Sequence, residues 1–459
     1  MCCFGIWAKI VSKTRPKSSV KHGQNRQFII YGRASLIMDN YRPRLVDELL
    51  RNELEAFGAV QITGPKWCGK TTTASRLSKS IIFMQDPDFR DTYKQVADTK
   101  PSELLKGDNP RLIDEWQTAP KLWDAVRLAV DLRNQAGLFI LTGSVSMDPD
   151  ETDEIEHSGT GRINTIRMGT MSLFESGDSN GCVSLDGLFS GSESAGFSDK
   201  TLDDVAYLLI RGGWPQTIGK SRSIARTQIK GYCNSILDTR TELDGKKRDP
   251  HRMALIMRSL SRNISAPLSK ATIIDDVSEG NSIKMSPNTL EDYLNALRRI
   301  HVLETMPSWN PNLRSKISIR TSPTIHFCDP AVAAYFLSAH AEDLIMDPNT
   351  FGLLFESLVV RDLRVYTQCL EGEVSHYRDK NGLEADAVVH LPDGRWGAFE
   401  VKLSNAGVED GARNLKKLAE KIDTDRMNGP SFLAVIVPCG YAFTREDGVH
   451  VIPITCLRE

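Results

Sequence analysis

The sequence predicts an α/β fold: a parallel-sheet core, then a helical unit, then an α+β C-terminal part. Two patterns predict the core. Gly64-Pro65-Lys66-Trp67-Cys68-Gly69-Lys70-Thr71 has the spacing of a phosphate-binding loop, with an apolar run, Ala59 to Ile62, before it and a helix-compatible run, Thr72 to Lys79, behind it. Buried strand, tight loop and helix N-terminus are the context such a loop requires. Apolar strand patterns then alternate with helical ones as far as Ser144, which argues for parallel strands with ligands at their C-terminal ends. A third pattern marks the other end: two alternating apolar runs joined by Pro392-Asp393-Gly394 read as a hairpin.

In the loop, Gly64 and Gly69 let backbone N–H groups turn inward around phosphate oxygens, and the following helix adds its positive end. Lys70 would reach the β- and γ-phosphates, and the Thr71 hydroxyl would hold Mg²⁺. Pro65, Lys66, Trp67, Cys68 and Thr72 complete the candidate nucleotide-binding set, with Cys68 a small filler. Before the loop, Leu45 to Ala56 reads as a helix; after it, Ser80 to Met84 reads as a second strand. Leu112-Ile113-Asp114-Glu115 is a short apolar strand ending in two acids. Asp114 would serve Mg²⁺ and Glu115 would polarise an attacking water, their side chains pointing opposite ways from the strand. Lys121 to Asn134 is a helix with an apolar face. Gly137 to Ser144 is a central strand whose end, Thr142 or Ser144, would touch the γ-phosphate or the attacking water. Arg162 follows a Gly-rich turn, the setting of an arginine finger acting in cis or in trans, and Met171 to Glu175 closes the module.

These pieces, together with Gly212-Gly213-Trp214-Pro215 and Glu400-Val401-Lys402, resemble the prokaryotic AAA+ family of ATP-binding proteins: an ATPase core followed by a C-terminal domain of unknown function. The match runs from about Met38 onward. The resemblance implies a P-loop NTPase core of AAA+ type, with ATP and Mg²⁺. It implies no cellular role.

Residues 177–200 are rich in Ser, Gly and Asp and read as a loop or linker, with a short helix from Leu202 to Ile210. From Arg252 the pattern turns helical. Met253, Ile256, Met257 and Leu260 share a face, Ser269 to Val277 is a second helix, and Ser286-Pro287 opens a third. Extended segments at Val302-Leu303 and Thr324 to Phe327 make a β-ribbon, so the unit reads as a winged helix. Such a unit suits DNA contact through its third helix, and equally an interaction or regulatory role.

The C-terminal hairpin places Asp386 opposite Glu400, with Lys402 on the same sheet face and Glu356 approaching from a helix. Two carboxylates and a lysine so grouped resemble the core of PD-(D/E)xK nucleases, and also suit a salt-bridged face kept for structure or binding. Gly407 to Lys421 is an amphipathic helix and Leu433 to Val437 a late core strand.

The domain reading is therefore a basic leader at 1–37, an ATPase core at 38–176, a linker and helical region at 177–250, a winged-helix-like unit at 251–345 and a nuclease-like domain at 346–459. The leader carries seven Lys and Arg and no acid, and reads as a disordered extension or a transit-like segment. The chain of 459 residues has a net charge of −2, which gives no global nucleic-acid signal. No apolar run approaches the ~18 residues of a membrane span. Nine cysteines with no C-x-x-C pair suit a reducing cytoplasm. The expectation is a cytoplasmic Mg-dependent ATPase working on DNA or a protein partner, homo-oligomeric if the finger acts in trans.

Overall fold

The computed structural model describes residues 41–145, 158–238, 248–267, 269–279, 284–311, 322–424 and 427–459. The basic leader lies outside them. A first helix, α1 (Val46–Ala56), buries Val46, Leu50 and Leu54 at helical spacing. It leads into β1 (Ala59–Thr63), buried at all five positions as a central parallel strand must be. After the loop come α2 (Lys70–Leu77), β2 (Ser80–Phe83), α3 (Arg90–Thr99), β3 (Arg111–Asp114), α4 (Lys121–Arg133), β4 (Phe139–Gly143) and β5 (Ile163–Arg167). The five strands are all parallel, in the order β2-β3-β4-β1-β5. This order puts β4 between the loop strand and the acidic strand, so the C-terminal ends of β1, β4 and β3 lie side by side.

The short helix α5 (Leu173–Ser176) ends the module on a capping box made by Ser172 and Glu175. The next stretch overturns the linker reading of 177–200. It forms β6 (Val183–Ser184), α6 (Leu185–Phe189) and β7 (Ala195–Ser198). α7 (Leu202–Arg211) was legible; α8 (Arg222–Leu237) was not. Three further helices, α9 (Pro250–Arg262), α10 (Lys270–Ser278) and α11 (Pro287–Arg299), precede an antiparallel pair, β8 (Leu303–Met306) and β9 (Thr324–Phe327), so the three helices and ribbon are as expected. Helices α12 (Pro330–Phe336), α13 (Ala341–Met346) and α14 (Pro348–Gln368) come next. The chain closes with β10 (Glu373–Arg378), β11 (Glu384–His390), β12 (Trp396–Val401), α15 (Val408–Lys421), β13 (Phe432–Val437), β14 (Gly440–Thr444), β15 (His450–Pro453) and β16 (Leu457–Arg458).

These strands build a mixed seven-stranded sheet ordered β10-β11-β12-β13-β15-β14-β7. Its far edge is β7, paired with β14 through Phe197 and Tyr441, while β6 pairs with β16. The supposed linker is thus part of the C-terminal domain. Its strands are too short to show a periodicity, and they exist because partners more than 240 residues away supply the ladder. One hydrophobic core also joins regions read as separate domains: Leu185, Trp214, Leu294, Phe355 and Ile452 belong to it. Ala387 faces Phe399 and Val388 faces Ala398, the hairpin register that sets Asp386 against Glu400.

Candidate functional site

The phosphate loop is held in shape by the strand beside it. Gly64 has φ +151°, and a Cβ there would meet the Met168 carbonyl at 2.0 Å. Gly69, the residue before α2, has φ +111°. Both positions therefore exclude side chains. Lys70 is buried, and its ammonium donates to the Gly64 and Pro65 carbonyls at 2.8 Å each, which aims it into the concavity of the loop. Cys68 is a buried filler whose thiol donates to the Met168 carbonyl at 3.3 Å. The Lys66 carbonyl accepts from Trp214 Nε1 at 3.1 Å, and the half-exposed Trp67 ring stands edge-on to Tyr232 of α8, 5.9 Å between centroids. Thr72 follows in the first turn of α2.

Strands β3 and β4 supply the other wall. Asp114 Oδ1 accepts from Thr71 Oγ1 at 2.7 Å and from Thr142 Oγ1 at 2.6 Å. Burial pushes the Asp114 carboxyl up, against the pull of these two hydroxyls. Glu115 does not continue the strand. Its φ of +55° turns the chain left-handed, so the alternation expected of neighbours on a strand does not apply. Its Oε2 instead accepts from Gln117 Nε2 at 2.5 Å and Ser144 Oγ at 3.2 Å. The two acids thus end beside the C-terminal end of β4, Asp114 on the Thr71 and Thr142 hydroxyls and Glu115 on that of Ser144. A threonine hydroxyl with a carboxylate at a helix N-terminus is an oxygen donor set that fits Mg²⁺, and the inward N–H groups and lysine fit a phosphate chain.

Arg162 is the predicted site residue that the fold does not bring here. It precedes Ile163, which pairs with Ala59 at the start of β1, whereas the loop follows Thr63 at the end. Four residues of strand, roughly 13 Å, separate those ends. Its Nε donates to Asp131 at 2.7 Å. A finger role toward this chain's own loop is therefore not supported by its position. Arg44, Trp214 and Gln117 were missed by sequence reasoning. None belongs to a spaced motif with chemistry of its own, and only Gly-Gly-Trp-Pro carried a signal.

The C-terminal residues do converge. Glu400 is 1 % exposed and accepts from Lys402 Nζ and from Asn414 Nδ2 of α15, both at 3.3 Å. Asp386 Oδ2 accepts from the Val401 N–H at 2.7 Å. Burial, then Asp386, pushes the Glu400 carboxyl up to about 9. Burial raises Glu356 of α14 too, helped by Asp386, Glu384 and Glu400. Burial alone would lower the Lys402 ammonium, but Glu400 and Asp386 more than offset it. Among the described residues, no three His, Cys, Asp or Glu side chains stand where they could hold a metal ion. The cluster as placed does not fit a metal, and no metal-dependent step is derived from it.

Comparisons with known proteins match three stretches of the chain. An AAA domain family matches residues 56–176, and two families described as domains of unknown function (DUF8612 and DUF4143) match residues 202–343 and 351–457. Uncharacterized proteins of Mycobacterium tuberculosis (Rv2008c) and Mycobacterium bovis (Mb2031c) are each 23 % identical over 408 residues, 88 % of this chain and 82 % of theirs. Among solved structures, a Walker-type ATPase of Pyrococcus abyssi is similar at 16 % identity and a TM-score of 0.39, covering 65 % of this chain and 99 % of that one. AMPPCP-bound DnaA from Aquifex aeolicus is similar at 12 % identity and a TM-score of 0.27, covering 58 % of this chain and 90 % of that one. The family match and the assembled loop coincide: Gly64–Thr71, Asp114, Glu115 and Ser144 all lie within residues 56–176, the stretch that is similar to the AAA domain family.

Proposed function

We propose that this protein binds ATP with Mg²⁺ at the Gly64–Thr71 loop, hydrolyses it, and passes the nucleotide state to its C-terminal half. The observation that carries this is the meeting of Lys70, Thr71, Asp114, Glu115 and Ser144 at the ends of three adjacent parallel strands. Lys70 would exchange the Gly64 and Pro65 carbonyls for phosphate oxygens. Thr71 and Asp114 would hold Mg²⁺, which supplies charge neutralisation on the phosphates when bound. Glu115 would accept a hydrogen bond from the attacking water and orient it in line, and the Ser144 hydroxyl keeps that carboxylate in place. Arg162 is kept for a trans role on a neighbouring copy, since it lies away from its own loop.

Coupling is supported by contacts that tie the loop to the C-terminal half. Trp214 holds the Lys66 carbonyl, the neighbouring Gly213 carbonyl accepts from the Met171 N–H at 2.7 Å, and the Gly213 N–H donates to the buried Asp329 at 2.8 Å. Arg167, beside Thr63, shares Glu304 of β8 with Arg364 of α14. The helix–ribbon unit is read as a winged helix contacting DNA or a protein partner. Its α11 acids are paired internally, Glu291 with Lys270 and Arg298, and Asp292 with Arg248, so they do not repel a polyanion from that helix. Among the described residues, no helix is long and apolar enough to cross a membrane.

The test is steady-state ATPase of the full chain with Mg²⁺, with and without duplex DNA. Lys70→Ala is expected to lose ATP binding, and Glu115→Gln to keep ATP while turnover falls by orders of magnitude. Tight ATP binding by Lys70→Ala, or unchanged turnover in Glu115→Gln, would overturn the assignment. Stimulation by DNA would make nucleic acid the working partner; turnover indifferent to DNA would favour a protein.

A further inference from the structure

We propose that Arg44 is a positioning residue of the nucleotide site: it holds the Cys68–Gly69 peptide so that the Gly69 N–H faces the phosphates. The proposal rests on the reading of the Gly64–Thr71 loop as an ATP site. Arg44 lies just before α1, far from every motif, yet its side chain is only 4 % exposed. Its Nη1 donates to the Cys68 carbonyl at 2.8 Å, its Nη2 to the Gly169 carbonyl at 3.0 Å, and its Nε to Glu175 at 2.9 Å. Glu175 is itself fastened by the N–H groups of Leu45 and Ser172, at 2.9 and 2.8 Å. The guanidinium is therefore held on several sides, directly beneath the loop. A Cβ on Gly69 would stand 3.7 Å from Nη1.

A trans peptide is planar, with its C=O and N–H pointing in opposite directions. Fixing the Cys68 oxygen toward Arg44 therefore turns the Gly69 N–H the other way, to the side where the phosphate chain would lie. Glycine at 69, with φ +111°, has the freedom to flip this peptide. Nothing in α2 prevents that flip, because Gly69 precedes the first helical residue. Arg44 supplies the restraint, and its fixed fork suits carbonyls lying in two directions, which a lysine head on a flexible stem does not. The same geometry links the loop to the exit of β5, since Gly169 follows Met168, the residue whose carbonyl fills the space at Gly64.

The experiment measures ATP affinity by calorimetry and steady-state kinetics on the full chain for wild type, Lys70→Ala, Arg44→Lys, Glu175→Gln and the double variant Arg44→Met/Glu175→Gln. The double variant removes both members of the buried pair, so neither charge is left alone. Glu175→Gln leaves Arg44 on the Cys68 carbonyl, and its ATP affinity should stay within about twofold of wild type. The double variant should bind ATP roughly 10- to 100-fold more weakly, the worth of one hydrogen bond to a charged group. Its KM should rise while kcat moves little, and its melting temperature should be no lower than that of Glu175→Gln, which leaves the Arg44 charge unpaired. Arg44→Lys should fall with the double variant. A double variant that binds ATP as well as Glu175→Gln overturns the proposal alone. Wild-type protein that does not bind ATP, or Lys70→Ala that binds it equally well, overturns the site reading and the proposal with it.

Discussion

Replacing Arg361 by methionine should expose how the C-terminal half is held. Arg361 is buried in α14 between two fully buried carboxylates: its Nη1 donates to Asp329 at 3.0 Å and its Nη2 to Asp362 at 2.6 Å. Each acid has a further duty. Asp329 accepts from Gly213 N and Thr170 Oγ1, and Asp362 accepts from Leu173 N. Methionine fills similar space but leaves both acids without their cation. Removing one partner of a buried ion pair costs about 3–5 kcal/mol. Asp362 responds by holding a proton, since burial already sets it above the usual carboxylate range despite Arg361. An acid whose folded pKa is raised binds more protons folded than unfolded, so its stability contribution falls as pH rises between the two values. The cost of Arg361→Met should therefore be smaller at pH 5 than at pH 8, by about 1.4 kcal/mol per pH unit within the window of Asp362. Urea unfolding followed by tryptophan emission at the two pH values measures this. A cost below about 1 kcal/mol at pH 8, or the same cost at both, would refute the reasoning by showing that water reaches the acids.

Other consequences are as direct. Burial lowers His326, lodged between Thr324 and Ser357, well below the ordinary histidine range, and lowers His301 to about 3. Below pH 6.5 the unfolded chain binds protons that these two refuse, so stability should drop by about 1.4 kcal/mol per pH unit for each. His326→Gln should lessen that slope in thermal melts from pH 6.5 to 5. Gly397→Ala puts a methyl 2.2 Å from the Phe432 ring in the core and should cost about 1–3 kcal/mol in urea melts, whereas Gly429→Ala, with nothing within 4 Å, serves as the control. Ser144→Ala frees one hydrogen bond of Glu115 and should lower kcat roughly five- to tenfold with ATP affinity unchanged, read by single-turnover kinetics.

The phosphate loop, the acidic strand and the hairpin register of Asp386 and Glu400 were legible because each depends on neighbours within about 20 residues. Spacing along the chain sets which atoms can turn inward at Gly64 and Gly69, and a three-residue turn sets which strand residues meet. The three helices between Pro250 and Arg299 were legible for the same reason, through apolar periodicity in the first and serine caps on the other two.

What sequence could not decide depends on contacts closed over hundreds of residues. Arg162 looked poised for phosphate, yet parallel strand β5 starts where β1 starts, and that sets Arg162 at the opposite end of the sheet from the loop. The Ser- and Gly-rich segment after Ser176 looked like a linker, yet Ala195 to Ser198 finds its ladder on β14 and becomes the sheet's edge. Arg44 carried no motif at all. Local chemistry determined which residues can bind a phosphate chain. Only the tertiary structure decided which carbonyls Arg44 restrains, which acids Arg361 neutralises and where Arg162 stands, because burial and strand order are properties of the whole packed chain.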